Sequence, residues 1–214
     1  GAVSYGDYIY TSNPEFTQMI DNSATDVVHS RVNWKGMKVE STPQTAINVG
    51  LNFRGPNNWF ASVDFNYYDR LYLSMNPMYR TEYLANEIKR IYDWNNLETG
   101  RQKAYVVGII DEIRQQEDLG NAYTLSASIG KNFRIKYKYT LGFSLQVNNI
   151  LNNQRIRTGG YEQMRLNKLS DPIIFPNADG EMVITKKPTT YSRFDSKYFY
   201  MNGINYYLNI YFRF

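Results

Sequence analysis

Read in steps of two, residues 202–214 (NGINYYLNIYFRF) separate into two unlike faces. Ile204, Tyr206, Leu208, Ile210, Phe212 and Phe214 make one apolar face, and Asn205, Tyr207, Asn209, Tyr211 and Arg213 make a polar or amphipathic one. The same alternation runs through TAINVGLNFR (45–54), WFASVDFNYYDRLYLS (59–74), AYTLSASIGKN (122–132) and YTLGFSLQVNN (139–149). Successive side chains of a strand leave opposite sides of the backbone, so this period predicts strands that meet two different media. DVVHSRVNWK (26–35) is a weaker example, and SYGDYIYTS (4–12) loses its phase at Asp7.

The connections differ in length. GPNN (55–58) and FRIKYK (133–138) read as tight turns, whereas 75–121 and 153–197 are long. Inside the first long connection the period changes. Leu84, Ile88 and Ile91 fall at helical spacing, as do Val106, Ile109, Ile110 and Ile113, which predicts short helices, the second stopping at Gly120. Long connections of this kind count against a compact soluble domain. Short turns on one side and long loops on the other are the arrangement of an outer-membrane barrel.

Two further features favour that arrangement over a soluble sandwich. The apolar faces extend over about 9–11 residues, the length a tilted strand needs to cross a bilayer, where soluble strands commonly run to about five or six. Aromatic residues stand at the margins of these faces (Trp59, Tyr67, Tyr123, Phe133, Tyr139, Phe212, Phe214), as interfacial belts require. The expectation is therefore an all-β antiparallel transmembrane barrel segment of about six or seven strands, apolar side to lipid and polar side to a lumen. With short turns on the periplasmic side, the last strand runs inward and places Phe214 at the periplasmic rim. The segments 36–43, 75–121 and 153–197 then face the medium.

Composition narrows the chemistry. No cysteine and a single histidine, His29, leave no disulfide framework, no thiolate metal site and little for a His-based triad. The mean hydropathy of −0.54 suggests a soluble chain, but alternating barrel strands evade that index. A net charge of +4, spread without a basic block, gives no nucleic-acid footprint. Asp64, Asp69 and Arg70 could be read as a carboxylate site, but a wet lumen wall is the simpler reading, and the same holds for His29. Asp111, Glu112, Glu117 and Asp118 lack the fixed ligand spacing of a calcium loop and read as a solvated helix face. The glycine pair of TGGYEQMR (158–165) suggests a sharp turn at the base of an outer loop. No catalytic set, cofactor motif or metal spacing is recognisable, so no enzymatic activity is expected.

Four stretches in order carry a family likeness: PQTAINVGLNFRGPNNWFASVDFNYYDRLYLSMNPMYRT (43–81), LQVNNILNN (145–153), TGGYEQMR (158–165) and NGINYYLNIYFRF (202–214). Together they resemble the C-terminal barrel portion of TonB-dependent outer-membrane receptors, particularly the Bacteroidetes type. Such receptors are expected to have about 22 strands and a plugged lumen. The resemblance implies that residues 1–214 are a fragment or split subunit, completed by the remaining strands and plug domain of the same receptor. It also implies import of a nutrient (siderophore, cobalamin, glycan or peptide), powered by the TonB energy-transducing system. Trp94, Tyr161, Arg165 and Tyr191 are the substrate-contact candidates in the outer loops, and Phe212 and Phe214 are the signal read by barrel-assembly machinery. Outer-membrane lipid, lipopolysaccharide and a surface lipoprotein lid are further expected partners. Residues 153–197, with eight basic and five acidic side chains, suit lipopolysaccharide headgroups. A receptor-like barrel serving as a non-transporting scaffold, and a secreted glycan-binding β-sandwich, are the alternatives.

Overall fold

The computed structural model describes residues 1–19, 27–136, 138–169, 173–185 and 190–214. In chain order, β1 (Ala2–Tyr5) precedes a hairpin of β2 (Glu15–Met19) and β3 (Val27–Arg31), followed by β4 (Thr45–Arg54) and β5 (Trp59–Asp69). Two helices, α1 (Glu82–Ile91) and α2 (Gly100–Arg114), lead to β6 (Ala122–Ile135) and β7 (Tyr139–Asn148). Then come β8 (Arg157–Tyr161), β9 (Leu166–Leu169), β10 (Ile173–Pro176), β11 (Met182–Thr185), β12 (Thr190–Arg193), β13 (Lys197–Tyr200) and β14 (Asn205–Arg213). The fold is mostly β and wholly antiparallel between its strands, with few helices.

Six strands form one open sheet in the order β1-β4-β5-β6-β7-β14. The four segments with the clearest alternation, together with the 202–214 stretch, supply its five long strands. The register aligns like with like. Leu51 faces Val63, then Ala127, Val147 and Tyr206, and the next row runs Phe53, Ala61, Ile129, Leu145 and Leu208. On the opposite face a polar ladder crosses the same strands. Asn48 donates to Asn66 at 2.9 Å, Ser62 meets Ser128 at 2.8 Å, and Asn148 donates to Asn205 at 2.9 Å. Tyr211 reaches across β7 to donate to Asn132 at 2.7 Å. It passes over Gly142, where a Cβ would lie 2.4 Å from its ring.

The short connections, 55–58 and 136–138, lie at one end of this sheet, and the excursions 6–44, 70–121 and 149–204 all leave from the other. The GPNN turn closes because Asn57 and Asn58 take left-handed backbone angles, which asparagine tolerates better than most side chains.

The hydrophobic core is in the excursions. Tyr79, Leu84, Ala85, Ile88, Tyr92, Val106, Ile110 and Ile113 form one buried cluster where α1 meets α2. Thr81 caps α1 by accepting from the Leu84 amide at 3.1 Å, and Thr99 and Gln102 form a reciprocal capping box on α2. Among the described residues, Ala122, at a strand end, is the one buried hydrophobic residue of the six-stranded sheet. Leu51, Phe53, Leu208 and Ile210 are 61–73% exposed.

Several expectations are corrected. Residues 26–35 are not a wall strand, because the described part pairs with β2 in a separate hairpin. The 59–74 strand stops at Asp69, where Arg70 turns left-handed (φ 54). The second helix ends at Arg114, before Gly120, because residues from Gln115 onward engage other segments. The 153–197 segment, expected as a long loop, contains strands of its own. β8 pairs β13, β9 pairs β12 and β10 pairs β11, nesting into a long ribbon. Nor do Gly159 and Gly160 make a sharp turn; both lie in β8, and β13 crosses close to them. Gly160 has φ +146, and a Cβ there would sit 2.0 Å from the Lys197 carbonyl oxygen. Gly160→Ala is expected to destabilise the ribbon base by roughly 1–3 kcal/mol, seen as faster amide exchange in 157–161 and 197–200. Unchanged exchange would contradict this packing.

Candidate functional site

Arg80 is the point where the long excursions meet. Asn76 accepts from the Met78 amide at 3.0 Å and starts the short 3-10 turn Pro77–Arg80, whose last residue turns inward. The Arg80 guanidinium forms a forked pair with Glu162, one arm of which, Nη2 to Oε1, measures 2.7 Å; it also donates to the Asn76 and Gln115 carbonyls at 3.2 and 3.0 Å. Glu162 accepts in addition from the Asn76 amide at 2.7 Å and from Arg193 at 2.8 Å. The Arg80 and Glu162 side chains are 0% and 1% exposed.

Two guanidinium groups thus share one carboxylate. The surplus positive charge faces the Gln115 carbonyl, just past the last residue of α2, which also accepts from Arg193 at 2.9 Å. A helix C-terminus supplies the partial negative charge and the unsatisfied carbonyls that suit such a cation. Arg114 adds a bond to the Thr81 carbonyl at 3.1 Å, joining the end of α2 to the start of α1. Its own pKa is lowered, mainly by burial. The Asn33 amide donates to the Arg80 carbonyl at 2.9 Å, which ties in the 6–44 excursion.

A second hub surrounds Glu117. Its carboxylate accepts from Ser196 at 2.9 Å and from the Tyr198 hydroxyl, and Arg157 lies 3.5 Å away while covering the Tyr198 ring at 4.2 Å. The hydrogen bond to Glu117, followed by burial, pushes the Tyr198 pKa up. Burial raises that of Tyr79, whose hydroxyl donates to the Arg165 carbonyl at 2.9 Å. Tyr10, half-buried near Trp34 and bonded to Glu40 at 2.8 Å, is pushed up to about 12, by burial first and by Glu40 second.

Between the sheet's polar face and the ribbon base lies a cleft of about 390 Å³. Thr124, Ser126, Asn148, Asn149, Thr158 and Tyr200 are among its lining residues. The VNNILNN turn shapes its floor. Asn149 and Asn152 are left-handed, and the Asn149 amide group donates to the Asn153 and Asn202 carbonyls at 3.3 and 2.9 Å. These neutral hydroxyl and amide groups suit a hydroxyl- or amide-rich ligand. Among the described residues no group of three or more His, Asp or Glu could hold a metal ion.

No described contact joins the substrate-contact candidates to one another. Trp94 stands beside α1 with the Lys89 and Lys103 ammonium groups 5.1 and 5.8 Å from its ring. Tyr161 and Arg165 flank Glu162 on the exposed side, Tyr161 packing against Phe199 at 6.1 Å. The Tyr191 backbone pairs with Lys168, and its side chain lies outside the described part of the structure. Among the described residues the Arg70 guanidinium makes no ion pair. It donates to the Gly6 and Gln44 carbonyls and the Thr45 hydroxyl and covers the Tyr5 ring. Asp64 lies over Gly50 on the polar face, and His29 meets Thr17 in the β2–β3 hairpin, away from the wall. Arg80 and Glu162 were not among the candidates, because nothing local signals a pair 82 residues apart.

Removing one partner of this buried pair leaves the other charge uncompensated. Glu162→Ala is expected to cost about 3–5 kcal/mol, read as a lower melting temperature and exposure of α1 and α2 to protease. The apolar double variant Arg80→Met with Glu162→Leu should recover most of that loss. Raised tyrosine pKa values stabilise the fold below the ordinary value of about 10, and that contribution vanishes as pH climbs through the raised value. Absorbance titration should therefore show a late tyrosine step near 12 that moves down in Glu40→Gln. An unshifted step would refute the Tyr10 assignment. Compared with models of known protein families, with curated proteins and with solved structures, the chain finds no match.

Proposed function

We propose that this chain supplies part of the barrel wall and the outer cap of a TonB-dependent outer-membrane receptor that imports a nutrient. One observation carries the reading: five long, registered strands present a continuous, exposed apolar face, while the chain's hydrophobic core is built elsewhere. In water such a face would be an aggregation liability. Against lipid tails it is the stable arrangement once further strands pair with the two open edges, because the interior strands already satisfy their backbone groups. The position of every long excursion at one end of the sheet supports the same reading. The open edges, β1 and β14, are where further strands of the receptor pair. Phe212 stacks on Tyr139 at 5.8 Å and approaches Phe214 at 6.5 Å, and the proposal assigns both to recognition by barrel-assembly machinery.

In this function the substrate meets the outer cap, and the neutral cleft above the polar face takes hydroxyl or amide groups of the passing ligand. A siderophore, cobalamin, glycan or peptide all offer such groups. The plug and the TonB system act from the partner portions of the receptor.

The test exploits the two faces. Leu51→Arg and Leu208→Arg, on the outward apolar face, are each expected to cost about 2–4 kcal/mol in a bilayer and to abolish surface display of the full-length receptor. Asn52→Arg, on the polar face of the same strand, should be displayed normally. If the face is merely a water-exposed surface, as in a secreted sandwich, the Leu variants would stay within about 0.5 kcal/mol of the parent, and normal export of all three would reject the proposal.

A further inference from the structure

The two ends of the sheet differ in charge. The short-turn end, residues 52–60, 130–141 and 211–214, carries Arg54, Lys131, Arg134, Lys136, Lys138 and Arg213 and not one Asp or Glu. The rest of the chain is left with 18 basic and 20 acidic residues. A chain of net charge +4 therefore concentrates six positive charges at one rim and is slightly negative elsewhere.

Lys131 is the telling member. Its register places it on the apolar face, between Trp59 on β5 and Phe143 on β7. Its ammonium lies 4.7 Å from the Trp59 ring centre and 4.8 Å from that of Phe133. Trp59 meets Phe143 edge-on at 6.0 Å, and Phe133 stacks on Phe143 at 6.2 Å. One step nearer the turn, the Lys138 ammonium covers Tyr139 at 5.4 Å. Cations set among an aromatic belt, directly beside aliphatic rows, match the level at which a bilayer passes from acyl chain to phosphate.

We infer that the short-turn rim is a docking surface for the anionic phospholipid headgroups of the leaflet it faces. The inference rests on the membrane reading above. Charge complementarity selects this occupant, and the adjoining apolar rows select a leaflet over a soluble anion. A polyanion free in water would gain nothing from Leu141, Phe143 and Ile210 beside the cations.

The experiment uses the full-length receptor in nanodiscs of phosphatidylcholine, with or without phosphatidylglycerol. Amine labelling of each lysine is read by mass spectrometry. Lys131, Lys136 and Lys138 should label about fivefold more slowly in the anionic discs, each residing where surface charge attracts strongly. The protection should disappear at about 1 M salt, and Lys103 in the cap should label equally in both. Equal labelling of the three rim lysines in the two lipids would overturn the inference, as would equal protection of Lys103. Brominated acyl chains separate this failure from failure of the membrane reading. Fluorescence quenching that is lost in Trp59→Phe shows the wall in lipid, so an indifferent rim then refutes the headgroup inference alone. Absence of quenching refutes both.

Discussion

The buried pair between Arg80 and Glu162 is the interaction on which the outer half of this structure depends. Taken alone such a pair is weak net stabilisation, since desolvating both ions cancels much of their attraction. Its effect is on geometry. A forked guanidinium accepts few arrangements, and here the pair is held from both sides: Arg80 donates to the Asn76 and Gln115 carbonyls, and Glu162 accepts from the Asn76 amide and Arg193. Because Glu162 belongs to the ribbon, Gln115 to the end of α2 and Asn33 to the first excursion, one pair holds three long segments in a single cap. The helices contribute the apolar core that makes burial of the charges possible.

Below that cap the same chain obeys the opposite rule. Around α1 and α2, apolar side chains turn inward as they do in water. In the sheet they line one exposed face, and the opposite face is amide and hydroxyl. Both halves pair their backbone, one by helices and nested hairpins, the other by strand pairing up to the open edges β1 and β14. The difference lies in whether this chain itself covers the apolar side chains. The junction is correspondingly polar: Arg70 binds the Gly6 and Gln44 carbonyls, and Gln44 is fully buried with its side chain accepting from the Tyr8 amide.

What the amino-acid sequence reveals of this depends on range. Period-two alternation is a local signal, so β4, β5, β6, β7 and β14 were legible to within a few residues. So were the helices, since Leu84, Ile88, Val106 and Ile110 repeat within a few turns. The ribbon was not, because its strands of four or five residues are too short for a period to emerge. Residues 26–35 misled because a hairpin with one half-buried side alternates just as a wall strand does. Residue type alone does not reveal surroundings: Trp94 has two ammonium groups over its ring, and Tyr161 and Arg165 flank the carboxylate that organises the cap. The Arg80–Glu162 pair lay beyond any local pattern.

The division into cap and wall also constrains how the polar cleft can work. Its floor is the Asn149 turn and the first residues of β14, which the sheet holds in register, whereas Thr158 and Tyr200 on its other side belong to the ribbon. The ribbon base is in turn fixed by Glu162 one residue beyond β8. Any movement that widens the cleft must carry the ribbon away from β7 and β14. It must then either break the Glu162 bonds to Arg80 or take Arg80 and α1 with it. Glu162 therefore couples the ribbon side of the cleft to Arg80 and, through it, to the start of α1.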